Sequence, residues 1–370
     1  MNRALLLSLI AVCTATAMAH QSQPDSGGER KAMLARGEAA LAALDPARAL
    51  AAFEQAARIS HSPDTEMGII RSSMQAGEYR RALGFAAHTA GAHVDETGAT
   101  ALYAWLLHAG GQEAAARRLL EQALVKLPSD SLLIHVSEQL RGLRPTAQVA
   151  LLRGPGRLAP YGDSRGLPPG SQVVASATLA GNGRQALVSS SALAKGSRYW
   201  VRDGVGRLVA AKPVPARSTR GLSLLQLALP LPQPALAVAP APFSGSIVYS
   251  VEYSPQRDAT PAWPWMKAGF VGPASSDGVV RELGIHQPGG SPGGGPVFDA
   301  GGRLAGVAVG RRGTEAAMLV PVPTLRQAFG PALFAEPSAG PQKSLAPDAV
   351  YEPALHHALQ LVRSDPRSRK

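Results

Sequence analysis

The sequence predicts a two-part α + β protein, with helical repeats in its front third and an all-β barrel or sandwich in the rest. Residues up to about 143 are rich in Ala, Leu and Arg, whereas later residues are rich in Gly, Pro, Val and Ser. The 39 glycines and 31 prolines among 370 residues exclude a single all-helical fold. With 45% hydrophobic and 17% charged residues, the chain has enough apolar material for a sizeable core.

The first nineteen residues have the pattern of a secretory signal peptide. A short cationic start precedes an uncharged apolar run over residues 4–17, and Ala17-Met18-Ala19 supplies a small-x-small cleavage site. Bulky Val12 before Cys13 argues against a lipoprotein site, and Cys13 is the only cysteine. We therefore expect an exported protein without disulfides or thiolate metal sites. No later stretch is long and apolar enough to predict an integral membrane segment.

After a linker over residues 20–28, residues 29–143 repeat with a helical period. Ala49, Ala82 and Ala116 occupy corresponding places 33 and 34 residues apart, and turn residues recur between the paired helices. This pattern resembles the tetratricopeptide repeat, in which small residues let paired helices approach and stacked pairs share one core. The segment 131–140 then resembles the capping helix.

The resemblance implies that the first helix of each repeat lines a concave groove for protein or peptide clients. Carried over to this sequence, the groove positions include five candidate binding residues, Lys31, Arg71, Met74, Trp105 and His108. The alternative is that Trp105 and Met74 belong to the core.

From residue 146 short runs of β-forming residues alternate with Gly, Pro and Asn, which favours strands. The predicted strands are 172–178, 185–189, 199–202, 222–227, 246–251 and 304–309, and a proline-rich joint over 229–242 divides them into two halves.

Three local patterns over residues 144–336 resemble trypsin-like serine proteases of the bacterial Htr type. They are the glycine-rich segment 293–299 with the hairpin that follows it, the segment 183–193, and the segment 220–225. In the family these carry the serine, the histidine and the aspartate, and residues 318–323 resemble the family's closing segment. The resemblance implies a double β-barrel and a periplasmic location, with secretion out of the cell as the alternative.

The chemistry of that family is missing at all three positions. Ser191 stands at the histidine position, Gly221 at the aspartate position and Gly293 at the serine position. The mechanism needs a hydroxyl, an imidazole base and a carboxylate that orients it. We therefore expect a non-catalytic pseudoprotease with a vestigial oxyanion loop at Ser291, Gly293 and Gly294.

The sequence is also compatible with two other functions. Ser291 or Ser191 could act as a non-standard nucleophile. His286 is the only histidine in residues 144–336, so the base considered for Ser191 is Lys195. A chaperone or assembly factor for exported proteins is the other alternative. A barrel edge strand could pair with an extended peptide, or the barrels could serve only as a spacer.

The remaining features predict no cofactor, metal or nucleic acid. The net charge of +11 comes from scattered cations rather than basic blocks, so we expect no nucleic-acid partner. Adjacent His356 and His357, and His88 with His93, lack accompanying carboxylates at ligand spacing. Residues 337–370 are expected to form a linker, a short amphipathic helix over 352–362 and a basic tail.

Overall fold

The computed structural model describes residues 26–141, 157–276, 278–285, 291–310, 317–338 and 343–366. The predicted signal peptide, most of the linker after it, His286 and the last four residues of the basic tail lie outside these ranges.

Seven helices form the N-terminal array, and their boundaries follow local sequence signals. Asp45 begins the second helix by accepting the Arg48 N–H at 3.0 Å, and Pro46 occupies its first turn. Gly77, with φ +82°, ends the third helix in the left-handed conformation that glycine favours. The second helices of the three pairs begin 33 and 34 residues apart, as the repeat predicts. The helices are α1 (Ser26–Ala42), α2 (Pro46–Ile59), α3 (Pro63–Ala76), α4 (Tyr79–Ala92), α5 (Thr97–Ala109), α6 (Glu113–Lys126) and α7 (Ser131–Arg141).

Two closed six-stranded barrels follow, which confirms the predicted fold class. Barrel 1 contains β1 (Gln172–Ala180), β2 (Gln185–Ser189), β3 (Arg198–Asp203), β4 (Leu208–Thr219) and β5 (Leu222–Leu227). Barrel 2 contains β6 (Ile247–Glu252), β7 (Trp265–Ala274), β8 (Arg281–Leu283), β9 (Gly293–Asp299), β10 (Leu304–Gly310) and β11 (Ala317–Pro321). The helix α8 (Val322–Phe329) follows, and the proline-rich joint lies between the barrels.

The prediction of a helix over residues 352–362 is wrong. A helix, α9 (Pro347–Ala354), ends before this segment is half complete, and β12 (Ala358–Ser364) follows as the sixth strand of barrel 1. β12 pairs antiparallel with β1 on one side and β3 on the other. Leu359 and Leu361 point into the barrel core, while Ala358 and Val362 are also fully buried on the opposite face. Burial on both faces removes the polar alternation that identifies a half-exposed strand.

The helical array packs directly on the barrels through a shared core. The Tyr79 ring of α4 meets the Tyr351 ring of α9 edge to face, with centroids 4.6 Å apart. The Tyr351 hydroxyl donates to the Pro264 carbonyl at 2.7 Å, just before β7. The C-terminal segment therefore joins three parts of the molecule, because α9 touches the array and leads into barrel 1. In the ranges described, no helix has the length and apolar character needed to span a membrane.

Candidate functional site at the junction of the two barrels

The fold brings the three positions predicted to correspond to the triad to one place between the barrels. Ser191 lies in the turn after β2, and its neighbour Ser190 donates its backbone N–H to the Gly221 carbonyl at 2.8 Å. Gly293 begins β9 and pairs with Val309 of β10. A Cβ atom built on Gly221 would lie 3.2 Å from Val309 Cγ1. Val309 therefore lies next to both the predicted aspartate position and the predicted serine position.

The backbone at two of these positions favours glycine. Gly221 has φ +77° and Gly293 has φ +75°, a region that costs residues with a side chain about 1–2 kcal/mol. A Cβ atom on Gly293 would also lie 2.8 Å from the Ala308 carbonyl oxygen and 3.0 Å from Val309 Cα. A side chain at Gly293 would therefore require the β10 backbone to move, whereas one at Gly221 would require the Val309 side chain to shift.

At the histidine-equivalent position the structure has a group of serine hydroxyls. The Ser191 hydroxyl lies 2.9 Å from that of Ser189, and the Ser190 hydroxyl lies 2.8 Å from that of Ser223. Lys195, the base considered for Ser191, is exposed in the turn before β3.

The predicted oxyanion loop is buried and bonded to both neighbouring strands. The Gly293 N–H donates to Ser291 Oγ at 3.3 Å, and the Pro292 carbonyl accepts the Gly310 N–H at 3.0 Å. On the side of barrel 1, Thr178 Oγ1 donates to the Gly294 carbonyl at 2.8 Å. One N–H that could stabilise an oxyanion is thus already used, and Pro292 has none.

Ser291 also lines a small cavity at one end of barrel 2 that the sequence did not reveal. The cavity has a volume of about 40 Å³ and is also lined by Glu252, Trp265 and Lys267. Burial lowers the pKa of Lys267, while Glu113 and Glu252 act in the opposite direction. Lys267 lies two residues after Trp265 on β7, so strand alternation places both side chains on one face. Local sequence signals do not predict β7, so this alternation is visible only in the structure.

Four of the five predicted groove residues are covered by other parts of the chain. Arg71 is 3% exposed and donates to Glu38 at 3.1 Å, and the Tyr161 hydroxyl donates to the same carboxylate at 3.0 Å. Burial of Glu38 opposes its ionisation, but hydrogen bonds from Arg71 and Tyr161, with their cationic surroundings, lower its pKa overall. Tyr161, which precedes barrel 1 in the chain, therefore occupies this part of the groove.

The remaining groove candidates contact barrel 2, lie in the core or face solvent. Met74 is fully buried, and the Trp105 ring packs 5.5 Å from the Trp265 ring. His108 meets Trp265 edge to face at 5.0 Å, and burial lowers its pKa. Lys31 alone of the five is exposed. The alternative assignment of Met74 and Trp105 to the core is therefore the one that the structure favours.

The histidines singled out in the sequence lie in different surroundings. His88 is exposed on α4, whereas His357 is fully buried before β12, where burial lowers its pKa to about 4. His93 lies beside His61 and Glu66, and their ligand atoms all fall within 4.8 Å of one another. Sequence spacing does not reveal this group, because its members come from three separate segments of the array.

The chain is similar to solved protease structures at low sequence identity. No family model and no curated protein matches the sequence. Among solved structures, the HtrA-type protease AlgW with decapeptide matches 42% of this chain and 50% of its own, with 17% identity and a TM-score of 0.34. The Rv3671c protease in its inactive form matches 44% of this chain and 87% of its own, with 15% identity and a TM-score of 0.33. The chain thus spans about half the length of the first of these proteases, and its two closed six-stranded barrels fit a trypsin-like fold.

Proposed function

We propose that this chain is an exported, non-catalytic protein that binds other proteins or peptides in the cell envelope. It is built from tetratricopeptide-like repeats and a trypsin-like double barrel without a proteolytic centre. The observation that carries the proposal is the backbone at Gly221 and Gly293. Both residues adopt positive φ angles, and both are closed in by β10. The backbone at these two of the three predicted triad positions therefore disfavours a residue with a side chain.

The experiment that tests the loss of catalysis is labelling with a fluorophosphonate serine probe beside a casein-cleavage assay. We expect neither labelling nor cleavage above the buffer level, with trypsin as the positive control. The triple variant Ser191→His, Gly221→Asp, Gly293→Ser should stay inactive, because the residue at 293 would meet the β10 backbone. Labelling of the unchanged protein that disappears in Ser291→Ala or Ser191→Ala would overturn the proposal.

A second candidate function is hydrolysis by a Ser291–Lys267 pair, since both side chains line one cavity. A lysine whose pKa is lowered by burial can serve as a general base. Against it, Ser291 is only 8% exposed, its hydroxyl accepts the Gly293 N–H, and the cavity has room for a few waters rather than a peptide bond. Lys267→Met distinguishes the two functions, because it abolishes labelling only if this pair reacts.

The binding surface that we favour is an apolar patch on the outside of barrel 2. Ile247 of β6 lies directly opposite Phe270 of β7, and the two are 58% and 56% exposed. Phe243, in the turn that enters β6, is 72% exposed. Neighbouring exposed apolar side chains of this size are typical of protein contacts. The groove of the helical array is the less favoured surface, because the chain itself covers most of it.

Capture experiments from envelope extract test this surface with a matched control. Ile247→Ser with Phe270→Ser should abolish capture of the proteins that the unchanged chain retains. Val125→Ser, at an 84% exposed position on α6, should leave capture intact. Equal capture by all three proteins would exclude the patch. Release of a captured client once it folds would favour a chaperone over a scaffold.

A further inference from the structure

We propose that His61, Glu66 and His93 form a binding site for a divalent transition-metal ion such as Zn²⁺ on the surface of the helical array. His61 lies in the loop between α2 and α3, Glu66 in the first turn of α3, and His93 directly after α4. The site is separate from the barrel junction and from the apolar patch, so it does not depend on the function proposed above.

The potential ligand atoms all lie within 4.8 Å of one another, which is close enough for them to converge on one ion. His61 Nδ1 is 2.7 Å from Glu66 Oε1, and His93 Nε2 is 3.5 Å from Glu66 Oε2. Bond lengths of about 2.0–2.2 Å to zinc place two tetrahedral ligands roughly 3.3 Å apart. The two rings are nearly parallel, with an angle of 26° between them and their centroids 6.5 Å apart, and the carboxylate lies next to both. Small side-chain rotations would bring all three atoms onto one ion.

The burial of Glu66 is the second observation that points to a cation. Its side chain is 1% exposed, and neither carboxylate oxygen has a hydrogen-bond partner of good geometry within the described residues. Its ion-pair contacts in those ranges are with the two imidazoles, and no Lys or Arg lies within ion-pair distance. Buried carboxylates are normally paired with a charge or bound to a metal. An ion between the imidazoles would supply that charge with both histidines neutral.

The donor set selects the class of ion. Two imidazole nitrogens with one carboxylate oxygen suit Zn²⁺, Cu²⁺ or Ni²⁺, whereas Mg²⁺ and Ca²⁺ prefer oxygen ligands alone. The His61 side chain is 66% exposed, so the open side of the site faces solvent. Water can fill the fourth position there, as in zinc sites with three protein ligands.

Isothermal titration calorimetry of the chelator-treated, purified protein with ZnCl₂ tests the site. We expect one site that His61→Ala and His93→Ala weaken by about tenfold or more, and that Mg²⁺ does not fill. His88→Ala removes an exposed histidine from the same helical array and should leave the affinity unchanged. Because His61 is mostly exposed, His61→Ala should fold normally, which circular dichroism checks.

Cobalt supplies an independent readout of the ligand set. Co²⁺ bound to the unchanged protein should show d–d absorption in the visible range that is lost in His61→Ala. Zinc affinity that is equal in the unchanged protein and in His61→Ala would overturn the proposal, since the ion would then be held elsewhere. Binding weaker than about 100 µM would overturn it as well and would leave only a histidine–glutamate ion pair.

Discussion

The two barrels have the same strand order but are assembled from different parts of the chain. In barrel 2 the order is β6-β7-β8-β11-β10-β9, and in barrel 1 it is β12-β1-β2-β5-β4-β3. The strand β12 thus occupies in barrel 1 the place that β6 occupies in barrel 2. Barrel 2 is closed by strands within one contiguous stretch, whereas barrel 1 closes only when residues 358–364 return to it. Equal topology therefore does not mean equal dependence on distant sequence.

In barrel 1, the buried Arg202 side chain connects the barrel to other segments of the chain. Arg202 of β3 is 1% exposed and donates to Gln360 of β12 at 2.9 Å and to the carbonyl of Ala259 at 2.8 Å. It also donates to the Asp163 carbonyl, which lies in the segment that crosses from the array. Its buried charge is thus shared among oxygens from three segments. Barrel 1 is the part of the molecule on which the other parts converge.

Removal of residues 355–370 should cause the largest loss of stability, and the loss should fall on barrel 1 rather than barrel 2. The deletion takes away two strand ladders and four fully buried side chains, Leu355, Leu359, Leu361 and Val362. At about 1.5–3 kcal/mol each, the loss is roughly 6–12 kcal/mol, comparable with the whole stability of a domain. Limited proteolysis should cut barrel 1 and spare barrel 2. Deletion of residues 367–370 is the control, and an unchanged melting curve for the longer deletion would show that barrel 1 closes without β12.

A substitution at Gly294 should weaken the contact between the barrels. Gly294 and Gly330 both have φ +104°, so an alanine at either position carries a similar backbone penalty. A Cβ atom at Gly294 would overlap the Ser176 carbonyl oxygen of barrel 1, whereas one at Gly330 would meet nothing within 4 Å. We expect Gly294→Ala to cost about 3–5 kcal/mol and Gly330→Ala about 1–2 kcal/mol in urea unfolding. Equal losses in the free energy of unfolding for the two variants would mean that the barrels can move apart at Gly294 at little cost.

Two buried groups of barrel 1 should give opposite responses to pH. Burial lowers the pKa of His357 from 6.5 to about 4, so between these pH values only the unfolded chain takes up its proton. Stability therefore falls as pH falls from 6.5 to 4. Burial raises the pKa of Asp203 from 3.8 to about 6, so there the folded protein takes up the proton first. That contribution makes stability rise as pH falls from 6 to 3.8.

Single variants separate the two contributions, each worth about 3 kcal/mol. Relative to the unchanged protein, His357→Leu should gain stability as pH falls from 6.5 to 4, and Asp203→Asn should lose it. Urea unfolding at pH 4, 5, 6 and 7 measures both. Parallel pH curves for the three proteins would mean that these groups are hydrated in the folded state.

Local sequence signals predicted some strands of the barrels and missed others. Strands such as β2 and β5 were found because short apolar runs end at Gly, Asn or Pro. The strand β12 was missed because Leu355, Leu359 and Val362 have helical spacing, although tertiary pairing with β1 and β3 decides their structure. Propensity and periodicity carry no information on which distant strand is available as a partner.

The candidate sites show the same limit. The sequence predicts the loss of the triad residue by residue, but it does not predict the positive φ angles of Gly221 and Gly293 or the position of Val309. The predicted groove residues lie on α1, α3 and α5, yet their covering by Tyr161 and Trp265 depends on how the barrels dock. The approach of His61 and Glu66 to His93 likewise depends on the packing of neighbouring helices, which one sequence does not specify.

The smallest expected effects concern the attachment of α9 to the array and to barrel 2. Tyr351→Phe removes a buried hydroxyl and leaves the Pro264 carbonyl without its 2.7 Å donor, which should cost about 1–2 kcal/mol. Arg80→Ala removes an ion pair with Asp348 at 3.2 Å, but the Arg80 side chain is 61% exposed and solvent screens it. That change should cost less than about 0.5 kcal/mol, since the Arg80 backbone N–H still donates to Glu352. Thermal melts of both variants test the order, and a larger loss in Arg80→Ala would mean that surface charge rather than buried contacts holds α9 in place.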